Sequence, residues 1–147
     1  INNRNIHSYE DYHTVMRGFA AGDLLNIYIW RNSKTTNVKT VTRLFPLKLA
    51  PNLAYLLLGL KVENLTVKNR LYYKTIEKKG VLISELNLKS YLFGIGAKPG
   101  DIIRQIDDLT INNIEDFNKA IVKCRRKKSA IILLQRGGQG YYISVEI

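Results

Sequence analysis

Cysteine occurs once in the 147 residues, at Cys124, so no intrachain disulfide can form and no Cys-x-x-Cys metal or redox pair exists. Cys124 falls between apolar positions of a predicted helix, where a buried thiol is expected. Histidine occurs twice, at His7 and His13, and both are expected at the surface. No group of His, Cys, Asp and Glu has metal-ligand spacing, and no glycine loop has a phosphate-binding context, so no metal or cofactor is expected. Long hydrophobic runs are missing too. The longest, residues 53–60, stops at Lys61, far short of the roughly 20 residues needed to cross a bilayer. Acidic residues number 12 against 23 basic ones, a net charge of +11. Such an excess favours a loose attraction to polyanions without selecting one. Part of it gathers at Lys119, Lys123, Arg125, Arg126, Lys127 and Lys128, which is expected to be a solvated helix end and loop.

What is present is a folding composition: 46% hydrophobic, 24% charged, three prolines. It excludes wholesale disorder and allows one ordinary domain or two small ones. The chain opens on Ile1 without an initiator Met or a signal-like segment, and so reads as a piece of something longer.

An internal repeat organises the chain. A shift of 105 residues carries Ile1 onto Ile106, Ile6 onto Ile111, Glu10-Asp11 onto Glu115-Asp116, Tyr12 onto Phe117, Ile27 onto Ile132 and Arg31 onto Arg136. Two copies of one unit are implied, the first truncated at its start. Each copy reads as a polar turn, an apolar residue, a capped helix, a strand, a second turn and a closing strand. Ser8 and Asn113 are the predicted caps, each followed by acidic residues where the helix dipole favours them. Apolar residues then recur at helical spacing: Tyr9, Tyr12, Val15, Met16 and Phe19 in one copy, Ile114, Phe117, Ala120, Ile121 and Cys124 in the other. Strands are predicted at 24–30 and 38–44, and again at 130–135 and 141–147.

The middle of the chain supplies what the first copy lacks. Residues 46–52 read as a linker. Residues 56–65 read as the opening of a strand, 80–86 as a strand, 90–95 as one or two helical turns, and 102–106 as another strand. The expected fold class is α+β: a small, partly open β-barrel with two helices, present one and a half times. Residues 1–45 form the partial copy and 53–147 the complete one. The partial copy is expected to lean on other structure, because it lacks the partners of its apolar faces.

The string GVLISELNLKSYLFGIGAKPGDIIRQIDDLTINNIEDFNKAI, from Gly80, resembles the core of a PDZ domain of the Do-type (HtrA) serine proteases. Ser90, Gly96, Gly100 and Asp101 match that family's pattern without gaps; Tyr91 and Leu92 replace its usual Pro-Ala. Leu133 to Gly138 fits its closing Leu-x-x-Arg-Gly-Gly. The resemblance implies a peptide-binding module of an oligomeric endopeptidase of the bacterial envelope. Its partners would be unfolded or C-terminal peptides, its own protease domain and neighbouring subunits, with no specific nucleic acid.

In such a module an extended peptide adds as a strand beside an exposed strand and along a helix. The resemblance places the carboxylate-binding loop at Leu57, Leu58, Gly59 and Leu60. It places the pairing edge from Leu60 through Lys61 and Val62, and the opposite wall at Ile114, Asn118 and Ile121. Ile114 and Ile121 could equally face the core, and Gly59 could be an ordinary strand bulge. The family's Gly-x-Ser-Gly-Gly nucleophile motif is absent, so no catalytic residue is expected in this chain. Two other functions fit the sequence: contact with an anionic surface through residues 119–128, and a pure subunit-assembly domain.

Overall fold

The computed structural model describes residues 1–147 and divides into two units, Ile1–Phe45 and Pro46–Ile147. In the first, Ser8 starts α1 (Tyr9–Arg17) with a reciprocal cap. Its hydroxyl accepts the Asp11 N–H at 3.0 Å, and the Asp11 carboxylate accepts the Ser8 N–H at 3.1 Å. Strands β1 (Leu24–Arg31) and β2 (Lys34–Val41) form a hairpin in unbroken register, Leu24 opposite Val41 and Arg31 opposite Lys34. The second strand starts four residues earlier than the expected 38. Asn32 and Ser33 both take positive φ, 51° and 56°, which makes a two-residue turn and sends the chain straight back. Only Val15 and Leu25 among this unit's apolar residues are buried. His7 is exposed, while His13 is half-buried between the rings of Tyr9 and Tyr12, at 4.2 and 5.5 Å.

In the second unit the expected linker is helical. A short 3-10 turn, Leu47–Leu49, runs into α2 (Ala50–Leu58). The expected strand opening at 56–58 is helix as well. The physical reason lies in the residues: Ala and Leu dominate the run, no β-branched residue interrupts it, and Pro51 sits in the first turn, where its missing N–H costs nothing. Gly59 ends α2 in the left-handed conformation, φ 69°.

The chain then becomes β3 (Leu60–Asn64), α3 (Val67–Tyr72), β4 (Val81–Leu86), α4 (Tyr91–Gly94), β5 (Ile102–Ile106), β6 (Leu109–Thr110), α5 (Ile114–Cys124), β7 (Ser129–Arg136) and β8 (Gln139–Glu146). The strands form one antiparallel sheet in the order β3-β4-β5-β7-β8, with β6 paired to β5. The sheet stays open, with β3 and β8 as its edges. Helix α3 was not foreseen; its signal is the Thr66/Asn69 capping box.

Phe117, Ala120, Ile121 and Cys124 form the buried stripe of α5 and meet Val81, Ile83, Ile103, Ile106 and Ile132 from the sheet. Ala54 and Leu58 of α2 join the same core. The side chain of Asp101 is buried, and Arg136 binds it through two bonds of 2.6 and 2.7 Å while also donating to the Gly96 carbonyl.

Candidate functional site

Strand β3 has a neighbour on one side only, and the ladder fixes which of its backbone groups face outward. The Asn87 N–H donates to the Gly59 carbonyl at 2.7 Å, while Leu60 stands opposite Leu86. In an antiparallel ladder this makes Leu60–Leu86 a pair without mutual hydrogen bonds. The N–H and C=O of Leu60 therefore point away from β4. Val62 is in the same position. Its partner Ile83 spends its N–H on the Asp101 carbonyl (2.8 Å) and its C=O on the Gly100 N–H (2.9 Å), both on the β5 side. Leu60 and Val62 thus present outward-facing main-chain groups two residues apart, the spacing an added strand needs.

Helix α5 packs beside this edge. At one end the Asn64 side chain accepts the Ile114 N–H at 2.8 Å, tying the end of β3 to the first turn of α5. The predicted wall residues fall into two groups. Ile114 and Asn118 are half-buried, whereas Ile121 is fully buried and belongs to the core. The amide oxygen of Asn118 is buried with no hydrogen-bond partner.

The expected edge residues Leu60, Lys61 and Val62 all lie on β3, but the expected loop is the end of a helix. Lys61 does not face α5: side chains alternate along a strand, and its ammonium reaches Glu85 on β4 at 2.7 Å and lies 5.6 Å from the Tyr55 ring. Leu57 and Leu58 are the last residues of α2, half-buried and buried respectively. The Gly59 N–H is committed to the Tyr55 carbonyl at 2.9 Å. An anion nest over Leu57, Leu58 and Gly59 is therefore not formed, because helix bonding takes the donors such a nest would use. Sequence reasoning missed the half-open cavity of about 220 Å³ beside Gly59, lined by Tyr55, Asn87, Ser90 and Tyr91 among others; it could arise only once α2 was known to be a helix.

Three of the six basic residues of the cluster at 119–128 are in ion pairs. Lys119 pairs with Glu115 at 2.6 Å, Lys123 with Asp108 at 3.4 Å and Lys127 with Asp107 at 2.6 Å. Partial burial pushes the Asp107 carboxyl upward, but Lys127 and the Ile131 N–H outweigh it and hold the group below its ordinary value. Burial, with Asp107 close by, pushes the Cys124 thiol up to about 11.

An open antiparallel sheet with a free edge strand beside a helix is an arrangement found in PDZ folds. Solved PDZ structures match it. The HtrA3 PDZ domain bound to the phage-derived ligand FGRWV aligns over 60% of this chain and 81% of that one, at TM-score 0.50 and 17% identity. The HtrA-type protease AlgW with a decapeptide aligns over 84% of this chain, at TM-score 0.55 and 19% identity. The chain spans only 40% of the length of AlgW. No family model and no curated protein sequence matches the chain.

Proposed function

We propose that this chain is a peptide-binding PDZ module of an HtrA-type serine endopeptidase of the bacterial envelope. In this reading an extended apolar segment or chain terminus adds to the sheet as a strand on β3, with its side chains against α5. One observation carries the reading: the outward-facing main-chain groups of Leu60 and Val62 on an edge strand that runs beside a helix. The peptide ligands of the HtrA3 PDZ domain and of AlgW support it, as do the motif residues Ser90, Gly96, Gly100 and Asp101. Proteolysis would belong to a domain other than this one, and assembly with neighbouring subunits to the whole enzyme. Because the Gly59 N–H is committed to α2 and, of the expected loop, the Leu60 N–H is the one that faces outward, main-chain pairing along β3 contributes more to affinity than capture of a terminal carboxylate.

The test is a titration of isotope-labelled chain with apolar pentapeptides, each with a free and an amidated C-terminus. Binding on the order of micromolar is expected, with amide shifts concentrated at Leu60, Val62, Asn64 and along α5. Amidation should weaken binding only slightly. Shifts confined to other strands, or no binding by any apolar peptide, would sink the proposal.

A further inference from the structure

Between β3 and β4 the chain makes an excursion over residues 65–80 that neither strand pairing nor the groove uses. Thr66 and Asn69 hold its first part as α3 by bonding reciprocally to each other's backbone N–H, at 3.2 and 2.8 Å. Val67 and Leu71, four residues apart, project from one face of that helix. Val67 is 65% exposed, Leu71 74%, Tyr72 78% and Ile76 90%. Their neighbour Tyr73 behaves differently. It is half-buried, and its ring lies so close to Gly100 that a β-carbon there would come within 2.5 Å of it. The inward ring of Tyr73 anchors the excursion while four large apolar side chains are left in water.

The charges of the same excursion are equally one-sided. Lys68, Lys74, Lys78 and Lys79 are exposed, and none is in an ion pair. The only acid between residues 65 and 80, Glu77, turns inward. One carboxylate oxygen accepts from Arg104 and the other from Gln135, each at 2.6 Å. No negative charge is left on the outer surface of this segment. The larger basic cluster at 119–128 is the opposite case, since three of its lysines are already in ion pairs.

Uncompensated lysines interleaved with exposed aliphatic residues and an outward tyrosine call for a partner that is anionic and apolar at the same depth. A nucleic acid would satisfy the lysines but offers nothing to Val67, Leu71 and Ile76. A bilayer interface satisfies both. Aliphatic side chains enter the acyl boundary, tyrosine sits at headgroup level, and lysine stems lie along the apolar zone with their ammonium groups at the phosphates. We propose that residues 67–79 dock onto the surface of an anionic phospholipid bilayer, with shallow insertion of Val67, Leu71, Tyr72 and Ile76. This surface is separate from the β3–α5 edge and does not depend on its peptide-binding role.

The experiment is co-sedimentation of the full chain with vesicles of phosphatidylcholine, alone or mixed with phosphatidylglycerol. Binding is expected to the mixed vesicles, to fall as salt rises, and to be much weaker to phosphatidylcholine alone. Leu71→Asp with Ile76→Asp should lower partitioning by about ten-fold or more. Lys78→Gln with Lys79→Gln should lower it by roughly five-fold per lysine, and by more than the same charge change at Lys119→Gln with Lys123→Gln. All these side chains are exposed or at the rim, and circular dichroism checks that the fold is kept. In a second measurement, Tyr72→Trp in a Trp30→Phe background should be quenched by lipids brominated in their acyl chains. Four results would overturn the proposal: no binding to phosphatidylglycerol vesicles at low salt, equal loss from the two lysine pairs, unchanged binding by the Leu71→Asp, Ile76→Asp variant, or no quenching at position 72. Binding to duplex DNA as tight as to vesicles, unaffected by Leu71→Asp and Ile76→Asp, would assign the surface to a nucleic acid and equally overturn it.

Discussion

Arg136 and Asp101 join the closing hairpin of the sheet to the turn before β5 through two parallel bonds, with the carboxylate buried and the guanidinium at the rim. Removing the guanidinium with Arg136→Ala strands a buried charge. A loss of about 2–4 kcal/mol is expected, toward the lower part of the range for broken buried pairs because Arg136 is partly solvated. Chemical denaturation measures it. Asp101→Asn with Arg136→Leu, which removes both charges, should recover part of the loss. A double variant less stable than Arg136→Ala alone would show that the charge is not the cause.

Gly59 is a structural requirement before it is a binding residue. It has φ of 69°, and a β-carbon added there would lie 2.6 Å from the Ser90 β-carbon. Gly59→Ala is expected to destabilise the chain by about 1–3 kcal/mol through left-handed strain and crowding. A lower melting temperature with peptide affinity retained below the transition would separate this role from ligand contact. An unchanged melting temperature would mean that the α2–β3 junction moves freely.

Cys124 should behave as an inert core residue. With its thiol pushed up to about 11 by burial, iodoacetamide at about pH 8 should modify the native chain far more slowly than the denatured one. Rapid alkylation without unfolding would contradict that burial.

The depressed carboxyl of Asp107 sets a direction for acid stability. Its folded value lies below its unfolded one, so its contribution is present above the ordinary carboxylate range and is lost as pH falls through the folded value. Asp107→Asn should therefore destabilise the chain near neutrality and flatten the acid limb of a stability–pH profile. If the variant loses stability on acidification as steeply as the parent, other carboxylates govern the acid limb.

The two units should differ in autonomy. Every member of the main core cluster lies beyond residue 53, whereas Ile1–Phe45 buries only Val15 and Leu25. Residues 46–147 alone are expected to fold cooperatively, and residues 1–45 alone to show no cooperative transition by circular dichroism. A sharp melting curve for the short piece would refute this.

The repeat made the capped helices and hairpins legible, because Ser8, Asn113 and the acidic residues after each write their caps locally. The strands at 81–86 and 102–106 were legible from β-branched runs bounded by Gly80 and by Pro99-Gly100. What failed was the start of the expected strand at 56–58, which is the end of a helix. A short run of leucines has no period of its own, and only helix propensity with the left-handed Gly59 decides its state. That error carried into the expected carboxylate loop, whose Gly59 N–H is committed to Tyr55. The pairing edge was placed at Leu60 to Val62 only through the resemblance; which of its main-chain groups face outward could not be read from sequence, since that depends on the offset between β3 and β4, where the register shifts between Lys61 and Val62.

One residue separates the end of α2 from the start of β3, and Gly59 is fastened at both of its backbone groups, its N–H to Tyr55 and its carbonyl to Asn87. The edge strand consequently has no slack at its first residue. It cannot slide by one position against β4 without uncapping the helix, and such a slide would also turn Leu60 and Val62 to the wrong face. If a segment adds to β3 as proposed, it meets a fixed ruler with the zero mark at Leu60, and the ligand, not the protein, must choose the frame in which the two are aligned.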